Sequence, residues 1–174
     1  MGKAEFETEM ASVRVELDSL LARLSPTTLR QPGILGDWSR ADIVAHFAGY
    51  TRDMTNSLAL ARGSGTGRPD YDVWEGMNID QFNDVVVGYW RLRPTMELLN
   101  EERLAFSLLL SEVNQLTEAT FESAGFFSFT GGRSLASILP GATFLHYQEH
   151  LGLLTKGSSV VTIGKKCPRL CRDW

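Results

Sequence analysis

Thiols are nearly missing from this chain. Its two cysteines, Cys167 and Cys171, fall within the last eight residues, so no disulfide framework spreads through the fold. Their C-x3-C spacing differs from the C-x2-C of redox and zinc-ribbon sites. Beside Lys165, Lys166, Arg169 and Arg172 they read as incidental thiols of a tail. Excess positive charge is missing too: the net charge is −4, which argues against non-specific binding to nucleic acid or an anionic membrane. No apolar run approaches the ~20 residues that cross a bilayer. The opening "MGKAEFETEM" is polar and acidic where a secretory signal would be basic and then apolar. The expected setting is the cytoplasm. Repeats and low-complexity segments are absent as well, and 174 residues fit one domain with a single core.

What is present is helical periodicity. Phe6, Met10, Val13, Leu17, Leu20 and Leu24 recur at three and four, predicting a helix over residues 4–24, which "SPTTLRQPGILGD" ends with two prolines and two glycines. Ser39 followed three residues later by Asp42 is an acidic form of the capping box, with Trp38 and Ile43 as its staple. Behind it Ile43, Phe47, Tyr50, Met54 and Leu58 form an inward stripe, and "RGSGTGRPD" closes that helix. A third helical region covers residues 79–117, kinked or split at Pro94, where a first-turn proline does no harm. "ESAGFFSFTGGRS" reads as a loop with a short extended aromatic part. The last helix is expected over residues 134–156, with Leu135, Leu139, Ala142, His146, His150 and Leu153 on one stripe and a kink at Pro140. The pattern predicts an all-α protein, an up-down four-helix bundle with a kinked or split third helix, over residues 1–156. Residues 157–174 form a tail of unassigned order.

Histidine is nearly as scarce as cysteine, yet all three histidines, His46, His146 and His150, fall on inward stripes. On a helix, residues four apart stand one above the other, about 5–6 Å between Cβ atoms, so His146 and His150 can grip one ion. Facing helices of a bundle core supply such sites. A histidine on an apolar face is ordinarily a packed side chain bonded to a carbonyl, and spacing alone does not separate the two cases. Burying three imidazoles without an ion, however, needs three separate hydrogen-bond solutions. Neutral imidazoles suit zinc, nickel, iron or copper and leave positions open for water or substrate. "HYQEH" also satisfies H-x-x-E-H, the inverted-zincin pattern in which Glu149 would be the base. That chemistry needs a further acidic ligand, and among the residues after His150 only Asp173 offers one. A peptidase is therefore set aside.

Taken together these segments carry a resemblance. "GDWSRADIVAHFAGYTRDM" resembles the second-helix signature of the DinB/YfiT-like superfamily, in which a tryptophan, a small capping residue and an aspartate precede an Ala-His pair. "LPGATFLHYQEHLGLL" resembles the fourth-helix signature, His-Tyr-x-Glu-His. "NIDQFNDVVVGYWRLRPTMELL" resembles the mid-region of the ClbS/DfsB-like branch. The likeness spans residues 4–156 and extends to the N-terminal domains of mycothiol-dependent maleylpyruvate isomerases. It implies a four-helix bundle with His46, His146 and His150 around a divalent metal, zinc or nickel first and iron next. Relatives include isomerases and transferases that use a low-molecular-weight thiol, and proteins that open a reactive cyclopropane to protect their host.

The expectation is a metal-dependent enzyme of hydrolase type, acting on a small electrophilic molecule in detoxification or self-resistance. Glu149 and Asp42 are its candidate acid–base groups, and Trp38, Tyr50, Asn83, Trp90 and Tyr147 its candidate substrate contacts. One alternative is a thiol-dependent S-transferase or isomerase, whose anionic co-substrate would meet Arg40, Arg52, Arg91, Arg93 or Arg133. Another is a non-catalytic protein that sequesters a toxic metabolite. The expected partner is a small molecule, not nucleic acid or membrane. A homodimer is the expected assembly.

Overall fold

The computed structural model describes residues 1–64 and 76–155, and the protein is all-α. Its helices in chain order are α1 (Lys3–Leu21), α2 (Pro26–Arg30), α3 (Arg40–Ala61), α4 (Ile79–Arg91), α5 (Thr95–Asn114), α6 (Glu118–Glu122), α7 (Leu135–Ala142) and α8 (Phe144–Thr155). There is no strand among the described residues, only an isolated bridge between Leu35 and Trp38. No described helix is long and apolar enough to cross a membrane. The tail from residue 157 and both cysteines lie outside the described residues.

α3 is the axis of the molecule. Its start is fixed by a complete capping box: the Ser39 hydroxyl accepts from the Asp42 amide, and the Asp42 carboxylate accepts from the Ser39 amide. Residues 39–51 are all buried, as befits a helix covered on every side. α5 and α4 pack along it, α8 and α2 complete its surroundings, and α1 lies chiefly against α8. α1 buries Phe6, Met10, Val13, Leu17 and Leu21. It ends three residues before the expected Leu24, leaving Leu20 and Leu24 only partly covered.

The third helical region is two helices. α4 stops at Arg91, Leu92 stands in solvent, and Pro94 caps α5 from just outside its first turn, where a missing amide costs nothing. The last helix is also two, which the periodicity did not predict. Pro140 is tolerated inside α7, and the chain breaks at Thr143, with φ −129° and ψ −107°. There the Thr143 hydroxyl takes the Leu139 carbonyl at 2.5 Å, a side-chain bond that replaces a helical one. The break turns α8 relative to α7, so Leu154 is buried where Leu153 was expected. The aromatic stretch before α7 forms a 3-10 turn at Ser128–Thr130 after one extended residue, Phe127.

Candidate metal centre

α3 and α8 bring the three histidines together. All are buried, and each offers a ring nitrogen within 4.8 Å of the others. The Nε2 atoms of His46 and His146 are 2.7 Å apart. The rings meet edge to face, with centroids 4.6 Å apart for His46–His146, 5.1 Å for His46–His150 and 4.9 Å for His146–His150.

The hydrogen bonds around this cluster decide what it can hold. A neutral imidazole carries one N–H and one lone pair. His46 Nδ1 lies 2.8 Å from the Asn83 side-chain oxygen, so it must donate there. His146 donates to the backbone carbonyl of Ala142, where α7 ends. With each N–H turned outward, the lone pairs on the two Nε2 atoms face each other across 2.7 Å. Two lone pairs so placed repel, and a cation bound to one side of both nitrogens would relieve that repulsion. The donor set thus fits a divalent cation: neutral nitrogen ligands, with the His46 and His146 rings each held by an outward hydrogen bond.

A proton is a poor substitute. Burial, reinforced by His150, holds His146 down to about 3, and burial holds His150 down to about 4. His46 is pushed well below its ordinary value, first by burial and then by the two other rings, while its bond to Asn83 pulls weakly the other way.

Aromatic rings wall the cluster. Tyr50 lies edge-on to His46 at 4.6 Å and to His146 at 5.1 Å. Trp38 is 5.6 Å from His46, and Phe47 is 5.8 Å from His150. Other predicted site residues have different duties. Tyr147 stacks on Phe47 at 4.1 Å, and its hydroxyl turns to Thr51 and Glu102. Trp90 is buried in the core. Asp42 holds the Ser39 amide and the Arg91 guanidinium. Glu149 is exposed, its carboxyl raised by partial burial.

The arginines considered for an anionic co-substrate are engaged: Arg52 with Glu101, Arg91 with Asp42, Arg40 with the Leu154 carbonyl, Arg93 over the Tyr89 ring and Arg133 with the Thr130 carbonyl. Sequence reading passed over Glu102, which is fully buried and gripped by Arg14 through both carboxylate oxygens at 2.8 and 2.6 Å. Its spacing from Leu98 and Leu109 on the inward face of α5 was the available signal.

Comparison with known families gives a match. A family model described as the mycothiol maleylpyruvate isomerase N-terminal domain matches residues 10–122, well over half of the chain. The matched span includes His46 and Asn83 and ends before His146 and His150. No curated protein and no solved structure gives a match.

Proposed function

The chain belongs to the mycothiol maleylpyruvate isomerase N-terminal domain family, a DinB-like family, and from that premise we propose a metal-dependent enzyme that directs a low-molecular-weight thiol onto a small electrophile. We read α1, α3, the α4–α5 pair and α8 as the arms of an up-down four-helix bundle, with residues 1–156 as its unit. His46, His146 and His150 are the ligands of a divalent cation, zinc or nickel first and iron next. The observation that supports this reading is the convergence of three buried ring nitrogens, two of them with their N–H groups turned away.

Such a cation supplies the charge that lets a thiol shed its proton near neutral pH. The chain's own residues do the rest. Asn83 and the Ala142 carbonyl fix two of the rings, while Trp38, Tyr50 and Phe47 keep bulk water from the histidines. A family named for a mycothiol-dependent isomerase favours a thiol over water as the nucleophile. Hydrolysis of an ester, epoxide or cyclopropane at the same centre is the second reading, favoured by the His-Tyr-x-Glu-His element. Either would serve detoxification or self-resistance.

The test is elemental analysis of the purified protein, followed by turnover of a chlorobimane electrophile and of a simple ester, each with and without mycothiol. Bound metal and mycothiol-dependent turnover that His146→Ala abolishes are the expected results. Turnover indifferent to mycothiol selects the hydrolase. Protein without metal, or activity that survives His146→Ala, overturns the metal-dependent reading. Stoichiometric capture of the electrophile without turnover would mark a sequestering protein.

A further inference from the structure

α4 contributes none of the three histidines, yet it contributes a side chain that sets how His46 presents itself. Asn83 is buried at 4% exposure, and its side-chain oxygen is 2.8 Å from His46 Nδ1. Close to this pair, α3 and α4 come as near as side chains permit. A Cβ added at Gly49 would stand 2.8 Å from Val86 Cγ1 and 2.9 Å from Cγ2. Gly49 follows His46 by three residues and Val86 follows Asn83 by three. The close approach therefore holds the backbones where a side chain as short as asparagine spans the gap.

Asparagine accepts through its oxygen without carrying charge. Most of its chemical alternatives would change the site. An aspartate there would also accept the Nδ1 hydrogen, but it would add a negative charge beside the ring and make the imidazole a stronger donor. The other buried carboxylates nearby on the chain are already committed, Asp42 to Arg91 and Glu102 to Arg14. The cluster itself is three histidines with no carboxylate among them.

We propose that Asn83 is a positioning residue of this centre: it locks His46 with its proton on Nδ1 and its lone pair on Nε2, and its neutrality leaves the cation's charge undiminished for an anionic ligand such as a thiolate. The proposal rests on the metal-dependent reading of the histidines. It adds a residue on a third helix and a ligand class, anions, to that site.

Three variants of the full chain and one spectrum test it. Competition with a zinc chelator gives the dissociation constant, and cobalt-loaded protein titrated with azide reports anion binding in the visible spectrum. Asn83→Leu, which keeps the branched shape but removes the acceptor, raises the zinc dissociation constant about 10–100-fold while the circular dichroism and the unfolding midpoint of the metal-free protein hold. Asn83→Asp keeps zinc within about threefold but weakens azide about tenfold or more, because a unit charge now stands beside the site. Gly49→Ala, which pushes α4 away, weakens zinc in the same direction as Asn83→Leu.

Zinc affinity unchanged in Asn83→Leu overturns the positioning role, and equal loss in Asn83→Asp shows that shape rather than the acceptor matters, which also overturns it. Should Asn83→Leu fail to fold, a long-range proton–nitrogen correlation spectrum of zinc-loaded wild type decides: His46 must be protonated at Nδ1, and protonation at Nε2 sinks the proposal. Wild-type protein that takes up no metal refutes the metal-dependent reading itself, so the two failures are distinct.

Discussion

His146 and Tyr147 are neighbours on α8, yet they enter two buried polar clusters of opposite make-up. Tyr147 donates to Glu102 at 3.0 Å, with Thr51 at 3.0 Å from the same hydroxyl. Glu102 is held by Arg14, and Arg14 is held in turn by Asp18 and lies over the Phe106 ring. Each charge there faces an opposite one. His146 joins His46 and His150 in a cluster of three bases that contains no acid at all. Burial and mutual repulsion both oppose protonation of these rings. A buried cluster in which each charge meets an opposite one needs nothing from outside, and its contribution is to the fold. A buried cluster that collects lone pairs has the make-up of a cation site, and its expected contribution is to binding.

The comparison breaks first under mutation of the closed cluster. Glu102→Leu leaves Arg14 mostly buried without its bidentate partner. Removing one member of a buried pair costs about 3–5 kcal/mol, and the lower end is expected because Asp18 still holds Arg14. Urea unfolding of the metal-free protein measures it. Arg14→Met combined with Glu102→Leu should recover most of the loss, since no charge is then stranded. A double variant as unstable as the single would show that the cluster is not a closed pair.

The open cluster should show its effect through linkage instead. Zinc at about a hundred times its dissociation constant raises the unfolding free energy of wild type by about 3 kcal/mol. The same zinc leaves His146→Ala nearly unmoved in a thermal scan. Equal stabilisation of both proteins would place the ion elsewhere.

The two clusters also differ in how well the sequence announces them. The histidines lie on stripes of period 3.6, so each was assigned to the interior from its own neighbours, and the Ser39–Asp42 box marked the start of the helix that carries His46. Glu102 also lies on an inward face, but a glutamate among Glu101, Arg103 and other charges looks solvated until Arg14, 88 residues away, is known to meet it. Asn83 was legible as a polar residue near the site but not as the partner of His46, because a bond between residues 37 apart leaves no periodic trace. α2 and α6 were missed for a different reason. Each has five residues, too few to show a period, although Ser25 before Pro26 and Thr117 before Glu118 are ordinary caps. The split of the last helix was half legible: Pro140 marked trouble, while the break itself depends on Thr143 and Leu139.

Acid separates the clusters by opposite signs. In the metal-free protein His146 is held to about 3 and His150 to about 4 against an ordinary 6.5, and His46 also lies well below it. The unfolded chain therefore binds more protons than the folded one below pH 6.5. The histidines' contribution to stability is complete above that value, declines as pH falls, and is gone once their folded values are passed. Burial raises Glu102 from its ordinary 4.5, so its protonation favours the folded state in the lower part of that range. Urea midpoints of chelator-treated wild type should fall from pH 7 to pH 5, and His146→Gln with His150→Gln should flatten the slope. A flat wild-type profile would mean that the rings are not buried bases.

The smallest expected effect concerns the other glutamate, Glu149. It occupies the base position of H-x-x-E-H, whereas Glu102 belongs to no motif, yet Glu149 is exposed and Glu102 is fully buried. An exposed group without a buried partner is worth no more than about 0.5 kcal/mol to the fold. Glu149→Gln should therefore leave the urea midpoint and the zinc dissociation constant where they are. A general base contributes roughly 10²–10⁴ to a rate, so turnover in Glu149→Gln discriminates cleanly. A loss below about tenfold fits a solvated residue at the rim of α8, which is the expected outcome. A loss of a hundredfold with unchanged zinc affinity would return Glu149 to the chemistry, and water rather than a thiol would then be the nucleophile to pursue.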